Sequence, residues 1–179
     1  MRDRPFLLVE RDGLILTVFL RHLLSILILP FVVVVVLPYW LLTTYPSGTI
    51  WAAAPALTWL SRLLGAVLFL GGLALFAWCV SLFARVGRGT LAPWDPTQAL
   101  VAVGPYRYVR NPMISGVALM LAGETSLWGS IAVAAWAVVF ILFNHLYFVL
   151  LEEPGLERRF GESYRVYKAK VPRWLPRLK

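Results

Sequence analysis

From residue 63 to residue 84 the chain runs without a single charged side chain, and about 20 apolar residues are what a helix needs to cross a bilayer's hydrocarbon. Backbone amides find no water at that depth, so such a segment has to be helical. Three other apolar stretches have the same character: residues 23–42, 113–128 and 130–151. The first contains Pro30 and Pro38, which should kink it and free carbonyls for neighbouring helices to satisfy. Residues 14–20 either extend that helix or lie in the interface, with Arg21 reaching the headgroups. Only Gly129 separates the last two stretches, which predicts a tight helical hairpin. Gly65, Gly71 and Gly72 predict a close helix approach, within one chain or between two. Composition agrees, with 60% of residues hydrophobic and 15% charged against about a quarter charged in a soluble domain. The expected fold is all-α: one polytopic transmembrane helical bundle of about four spans over residues 1–179. Residues 1–85 would supply N-terminal helices and residues 86–179 the functional core.

A net charge of +8 would suggest nucleic-acid binding in a soluble protein. Here the cations flank apolar spans, so they set orientation instead and no nucleic acid is expected. Lys and Arg number four up to Arg21, four between Arg85 and Arg110, and eight after Glu153, whereas the other side holds only Arg62. The excess marks the cytosolic side, so both termini should face the cytosol, as an even number of spans requires. Trp40, Tyr45, Trp51 and Trp59 would form the outer aromatic belt. The mixed-charge N-terminus lacks a small-residue cleavage site and should be retained. Cys79, the one cysteine, reads as packing, and no metal site is expected.

Two polar segments then share one side of the membrane, residues 86–111 and 152–179. The first ends in Gly-Pro-Tyr-Arg-Tyr-Val-Arg-Asn-Pro-Met (104–113). Asn111 is a good N-cap and Pro112 suits the first helical position. That accounts for a helix start, which also favours a bound carboxylate, but leaves Tyr106, Arg107 and Arg110 unexplained. In the second segment Glu152 and Glu153 follow the fourth span, where a helix C-terminus disfavours negative charge. Either Arg158, Arg159 or a loop arginine neutralises the pair, or the pair binds a cationic ligand. His145, Phe148 and Glu152 fall on one helical stripe. Polar groups inside a span face a cavity or the bundle interior, so Asn144 and His145 are candidates to line an acceptor pocket, with His145 as a base or as a packed histidine with one hydrogen bond. Leu156, Phe160, Tyr164 and Tyr167 recur every three or four residues, which predicts an amphipathic C-terminal helix at the cytosolic interface, its cations drawn to anionic lipid.

These motifs resemble the isoprenylcysteine carboxyl methyltransferase and phospholipid methyltransferase superfamily of membrane enzymes. The resemblance covers roughly residues 98–176 and rests on GPYRYVRNPM, on EEPGLERRFGESYRVY and on VPRWLP, in that order around a helical hairpin. It implies S-adenosylmethionine as cofactor, reached from the cytosol, and a lipid or other lipophilic acceptor arriving from the bilayer, such as a phospholipid amine or an isoprenoid-linked group. The implied donor pocket comprises Gln98, Ala99, Leu100, Val101, Tyr106, Asn111, Pro112, Met113, Glu152 and Glu153. Tyr164 and Tyr167 would support it, and Arg110, Asn144 and His145 are the candidate catalytic residues. Relatives often carry His at Asn111 and Tyr at Ile114. Isoprenylcysteine enzymes place an arginine where this chain has Phe148, which disfavours a carboxylate acceptor. A bacterial inner membrane is the expected location. The alternatives are an NADPH-dependent membrane reductase, with which the C-terminal helices share a likeness, and a non-catalytic lipid-binding member of the fold. Oligomeric state is left open.

Overall fold

A computed structural model describes residues 27–45, 55–87 and 97–176. The N-terminal cations up to Arg21, the start of the first apolar stretch, Trp51 and part of the first polar segment lie outside the described residues. Among those described there is no strand.

A wide, π-helical stretch, Leu27–Val36, leads into helix α1, Leu37–Thr44. In a π-helix each carbonyl bonds five residues ahead, and five residues ahead of Val33 stands Pro38, which has no N–H. The Val33 carbonyl instead accepts the indole N–H of Trp136 at 3.0 Å. The carbonyl that proline frees is thus satisfied from a neighbouring helix, as expected from the sequence.

Helix α2, Pro55–Leu82, continues through a π-turn to Gly87. Its partner is α3, Pro112–Trp128, and the two lie antiparallel with reciprocal glycine contacts. A Cβ on Gly65 would stand 2.7 Å from the carbonyl oxygen of Gly123, and one on Gly72 would stand 2.5 Å from that of Gly116. Two glycines seven residues apart on each helix therefore bring the backbones into direct contact. Gly71 takes no part, because nothing lies within 4 Å of its Cβ position. The close approach predicted from the glycines is internal to the chain for Gly65 and Gly72.

The expected hairpin is present. Gly129 ends α3 in the left-handed conformation at φ 58°, and Ser130 caps α4, Ile131–Tyr147, by accepting the Val133 N–H at 3.3 Å. After α4 the helix does not stop. A π-turn, Phe148–Glu152, joins it to α5, Glu153–Phe160, so that one helical rod runs from Ile131 to Phe160. This corrects the expectation that the acidic pair closes a helix. The wide turn ahead of Pro154 relieves the clash its ring would make with the preceding turn, so the helix passes through. A break comes instead at Gly161, at φ 55° and ψ −129°. The C-terminal amphipathic helix is accordingly two short ones, α5 and α6, Glu162–Lys170.

The packing is that of a protein bathed in lipid. Leu63, Leu64, Val67 and Leu70 on α2 and Val138, Leu142 and Phe143 on α4 are all more than half exposed. Glycines and a modest core around Phe76, Met120, Leu121 and Phe140 fill the interior. An apolar exterior of this extent suits hydrocarbon and not water. Two helices, Leu57–Gly87 and Ile131–Phe160, are long and apolar enough to cross a membrane, while Pro30–Thr44 and α3 are shorter.

Candidate functional site

The end of α2, the start of α3 and the far end of α4 meet at one end of the bundle, and both polar motifs lie there. The chain returns from α2 by folding over its last turn. Gln98 and Ala99 each donate a backbone N–H to the Gly87 carbonyl, at 2.7 and 3.2 Å. A Cβ on Gly87 would stand 2.6 Å from the Thr97 methyl, so glycine is needed for that approach. Gln98 and Ala99 are exposed, Leu100 is half-buried and Val101 is buried. A tight 3-10 turn, Gly104–Arg107, then sets Tyr106 into the core, with its ring 5.8 Å from that of Phe83.

Glu153 organises the site. It is 4% exposed and receives three cations. Arg173 grips it with Nε and Nη2 at 2.7 and 3.0 Å, Arg110 Nη1 stands at 2.9 Å, and Lys168 Nζ at 3.4 Å. Burial works against its charge, but the Arg173 hydrogen bonds and the field of Arg110 prevail and hold its pKa below the usual carboxylate value. Backbone bonds reinforce the junction. Arg110 N–H donates to the Pro172 carbonyl at 2.9 Å and Asn111 N–H to that of Arg173 at 3.3 Å, while the Tyr167 hydroxyl donates to the Tyr106 carbonyl at 2.7 Å. Tyr164, 2% exposed, packs beside Arg110 and Tyr167. Both polar motifs and the tail after α6 are therefore one connected unit.

Glu152 has a separate environment. Its partners are the Tyr147 hydroxyl and the field of Arg159, and it is half-buried. The acidic pair thus divides, with one carboxylate committed to the interior and the other at the edge of the aromatic residues that follow α4. His145 belongs to that aromatic group. Its Nδ1 accepts the Trp174 indole N–H at 3.1 Å, and Phe148 meets Trp174 edge-on at 5.9 Å between ring centroids. Asn144 turns its amide back to the Phe140 carbonyl at 2.8 Å.

Asn111 stands at the N-cap position and Pro112 at the first helical position, as expected, but the Asn111 side chain makes no capping bond. Its Nδ2 is buried without a partner, and so is Arg110 Nε, among the described residues. Pro112 and Met113 are buried behind them. Of the residues the sequence singled out, Tyr106, Arg110, Asn111, Pro112, Met113 and Glu153 lie in this junction. Glu152, Asn144 and His145 lie on the adjoining stretch of the long helix, and Gln98 to Val101 cover the end of α2. Sequence reasoning missed Lys168, Arg173 and Trp174. The available signals were the VPRWLP motif, which named Arg173 and Trp174 without assigning them a partner, and a run of cations after two carboxylates, which read equally well as a lipid-facing surface.

The phospholipid methyltransferase family model matches residues 60–163, from α2 to the start of α6. An uncharacterised protein of Haemophilus influenzae is 39% identical over 64 residues, a stretch covering 35% of this chain and 97% of that protein. No solved structure gives a significant match.

Proposed function

This chain belongs to the phospholipid methyltransferase family of membrane methyltransferases, and from that premise we propose that it moves the methyl group of S-adenosylmethionine to a lipophilic acceptor at the cytosolic membrane face. A phospholipid amine fits this reading better than an isoprenoid-linked carboxylate, because Phe148 stands where an arginine would engage the carboxylate.

The observation that carries the proposal is the pair of unsatisfied buried donors, Asn111 Nδ2 and Arg110 Nε, on the motif that Glu153, the chain neighbour of Glu152, meets through Arg110. A buried polar group without a partner costs about 1–3 kcal/mol, and a bound carboxylate would relieve both. Glu152 would take an ammonium or ribose hydroxyls through charge-assisted hydrogen bonds. These are the functional groups of the donor, so the residues fit it. When bound, S-adenosylmethionine supplies an electrophilic methyl. The chain's part is to align it with the acceptor and keep bulk water away, which is where most acceleration of such a displacement arises. An amine acceptor must also shed a proton, to Glu152, His145 or water. The reductase alternative draws no support from the family match.

Calorimetry with S-adenosylhomocysteine on detergent-solubilised protein tests the reading. The folded wild type should bind, and Glu152→Gln should bind roughly ten- to a hundredfold more weakly, the worth of a hydrogen bond to a charged group. No binding by folded wild type removes the proposal, and unchanged binding by the variant removes Glu152 from the site.

A further inference from the structure

His145 reads in the sequence either as a base or as a packed histidine with one hydrogen bond, and its hydrogen bonding argues against the base. A neutral imidazole carries its proton on one nitrogen and a lone pair on the other. The Trp174 indole can only donate, and it donates to Nδ1 at 3.1 Å. The lone pair is thereby fixed on Nδ1 and the proton on Nε2. Trp174 is itself held in place, because its neighbour Arg173 grips Glu153 through the side chain and accepts the Asn111 N–H through the carbonyl. Its ring also packs against Phe148. Among the described residues Nε2 has no partner. His145 therefore offers a free N–H, while its basic lone pair is occupied.

We infer that His145 is a hydrogen-bond donor to the acceptor and not its base, and that Trp174 is the positioning residue that fixes this tautomer. This rests on the methyltransferase reading above. His145 precedes Glu152 by seven residues, about 10 Å along a helix, and so lies deeper in the bilayer than the headgroup plane. The group it would hold there is an uncharged oxygen, a carbonyl or hydroxyl set below the reacting end of a lipid.

The tautomer can be read without any turnover. The chain has two histidines, and a His22→Asn variant leaves His145 as the one signal in long-range proton–nitrogen spectra of nitrogen-15-labelled protein in micelles. The expected pattern is a lone pair at Nδ1 and a proton at Nε2, giving way to mixed tautomers in Trp174→Phe. A proton on Nδ1, or a pattern that Trp174→Phe leaves unchanged, overturns the inference. The second measurement is transfer of labelled methyl from S-adenosylmethionine into phosphatidylethanolamine–phosphatidylglycerol vesicles. His145→Gln, which can accept from Trp174 and still donate but has no basicity, should recover most of the acceptor KM that His145→Phe loses. His145→Phe should raise acceptor KM roughly three- to tenfold, the worth of one neutral hydrogen bond, with S-adenosylhomocysteine binding unchanged. A loss of kcat in His145→Gln equal to that in His145→Phe makes His145 a base and overturns the inference. Wild type that binds S-adenosylhomocysteine but transfers nothing to these vesicles overturns the acceptor reading instead, and the spectra still decide the tautomer.

Discussion

Glu153 is a carboxylate with 4% of its surface exposed, and its charge persists there because Arg110, Arg173 and Lys168 surround it. Removing one partner of a buried ion pair is far more costly than never building it, since the others stay buried and uncompensated. Glu153→Gln should therefore lower stability by about 3–5 kcal/mol, visible as a large fall in melting temperature in detergent. Lys168, which is 38% exposed at its side chain and also bound to Glu157 at 2.7 Å, contributes less, so Lys168→Met should cost a fraction of that. The same pairing sets a pH window. The folded pKa of Glu153 lies below its ordinary value, so the stabilisation is complete above the usual glutamate range, about 4.3. It is lost as the pH falls through the depressed folded value. Thermal unfolding followed from neutral pH into the acid range should show that loss in the wild type and its absence in Glu153→Gln.

At the scale of elements, the α2–α3 contact is the joint on which the bundle depends. Lipid tails are as apolar as leucine, so association in the membrane relies on close packing, which small residues permit. The backbone oxygen of Gly116 and the nitrogen of Met120 leave no room at Gly72, and backbone cannot step aside as a side chain can. Gly72→Ala should push the helices apart at a cost of about 1–3 kcal/mol. Gly71→Ala, one residue away and facing open space, should be neutral or slightly stabilising through its better helix propensity. Comparing the two melting temperatures checks the geometry, because both variants make the same chemical change. The joint at Ser130 is weaker. Ser130→Ala removes the cap on Val133 and should cost about 1 kcal/mol.

At the scale of the whole molecule, the cation distribution predicts that the α5–α6 tail faces the cytosol and the Arg62 end faces outside. Single cysteines at Arg165 and Arg62 should react with a membrane-impermeant maleimide from opposite sides of sealed vesicles, and labelling from one side would refute the orientation. Cys79 is fully buried and should give little background. Helicity, the hairpin at Gly129, the helix start at Pro112 and the grouping of two motifs at one end were all legible in the sequence. Each follows from local chemistry: apolar length, a glycine that tolerates positive φ, or a proline whose missing N–H costs nothing at a first turn. The division of labour between Glu152 and Glu153 was not legible. Regular helical spacing carries the inward stripe from His145 to Glu152, but the π-turn at Phe148–Glu152 adds a residue to one turn and buries Glu153 in its place. The partners in the tail were equally hidden, since Arg173 and Trp174 lie 20 and 29 residues from Glu153 and His145, and no local rule selects them among eight cations. The sequence alone determined a helical membrane protein with its two polar motifs at one end, because hydrophobic length and charge act without regard to partners. Only the tertiary structure decided which carboxylate is committed and which nitrogen of His145 is free, because both depend on which distant groups arrive to bond them.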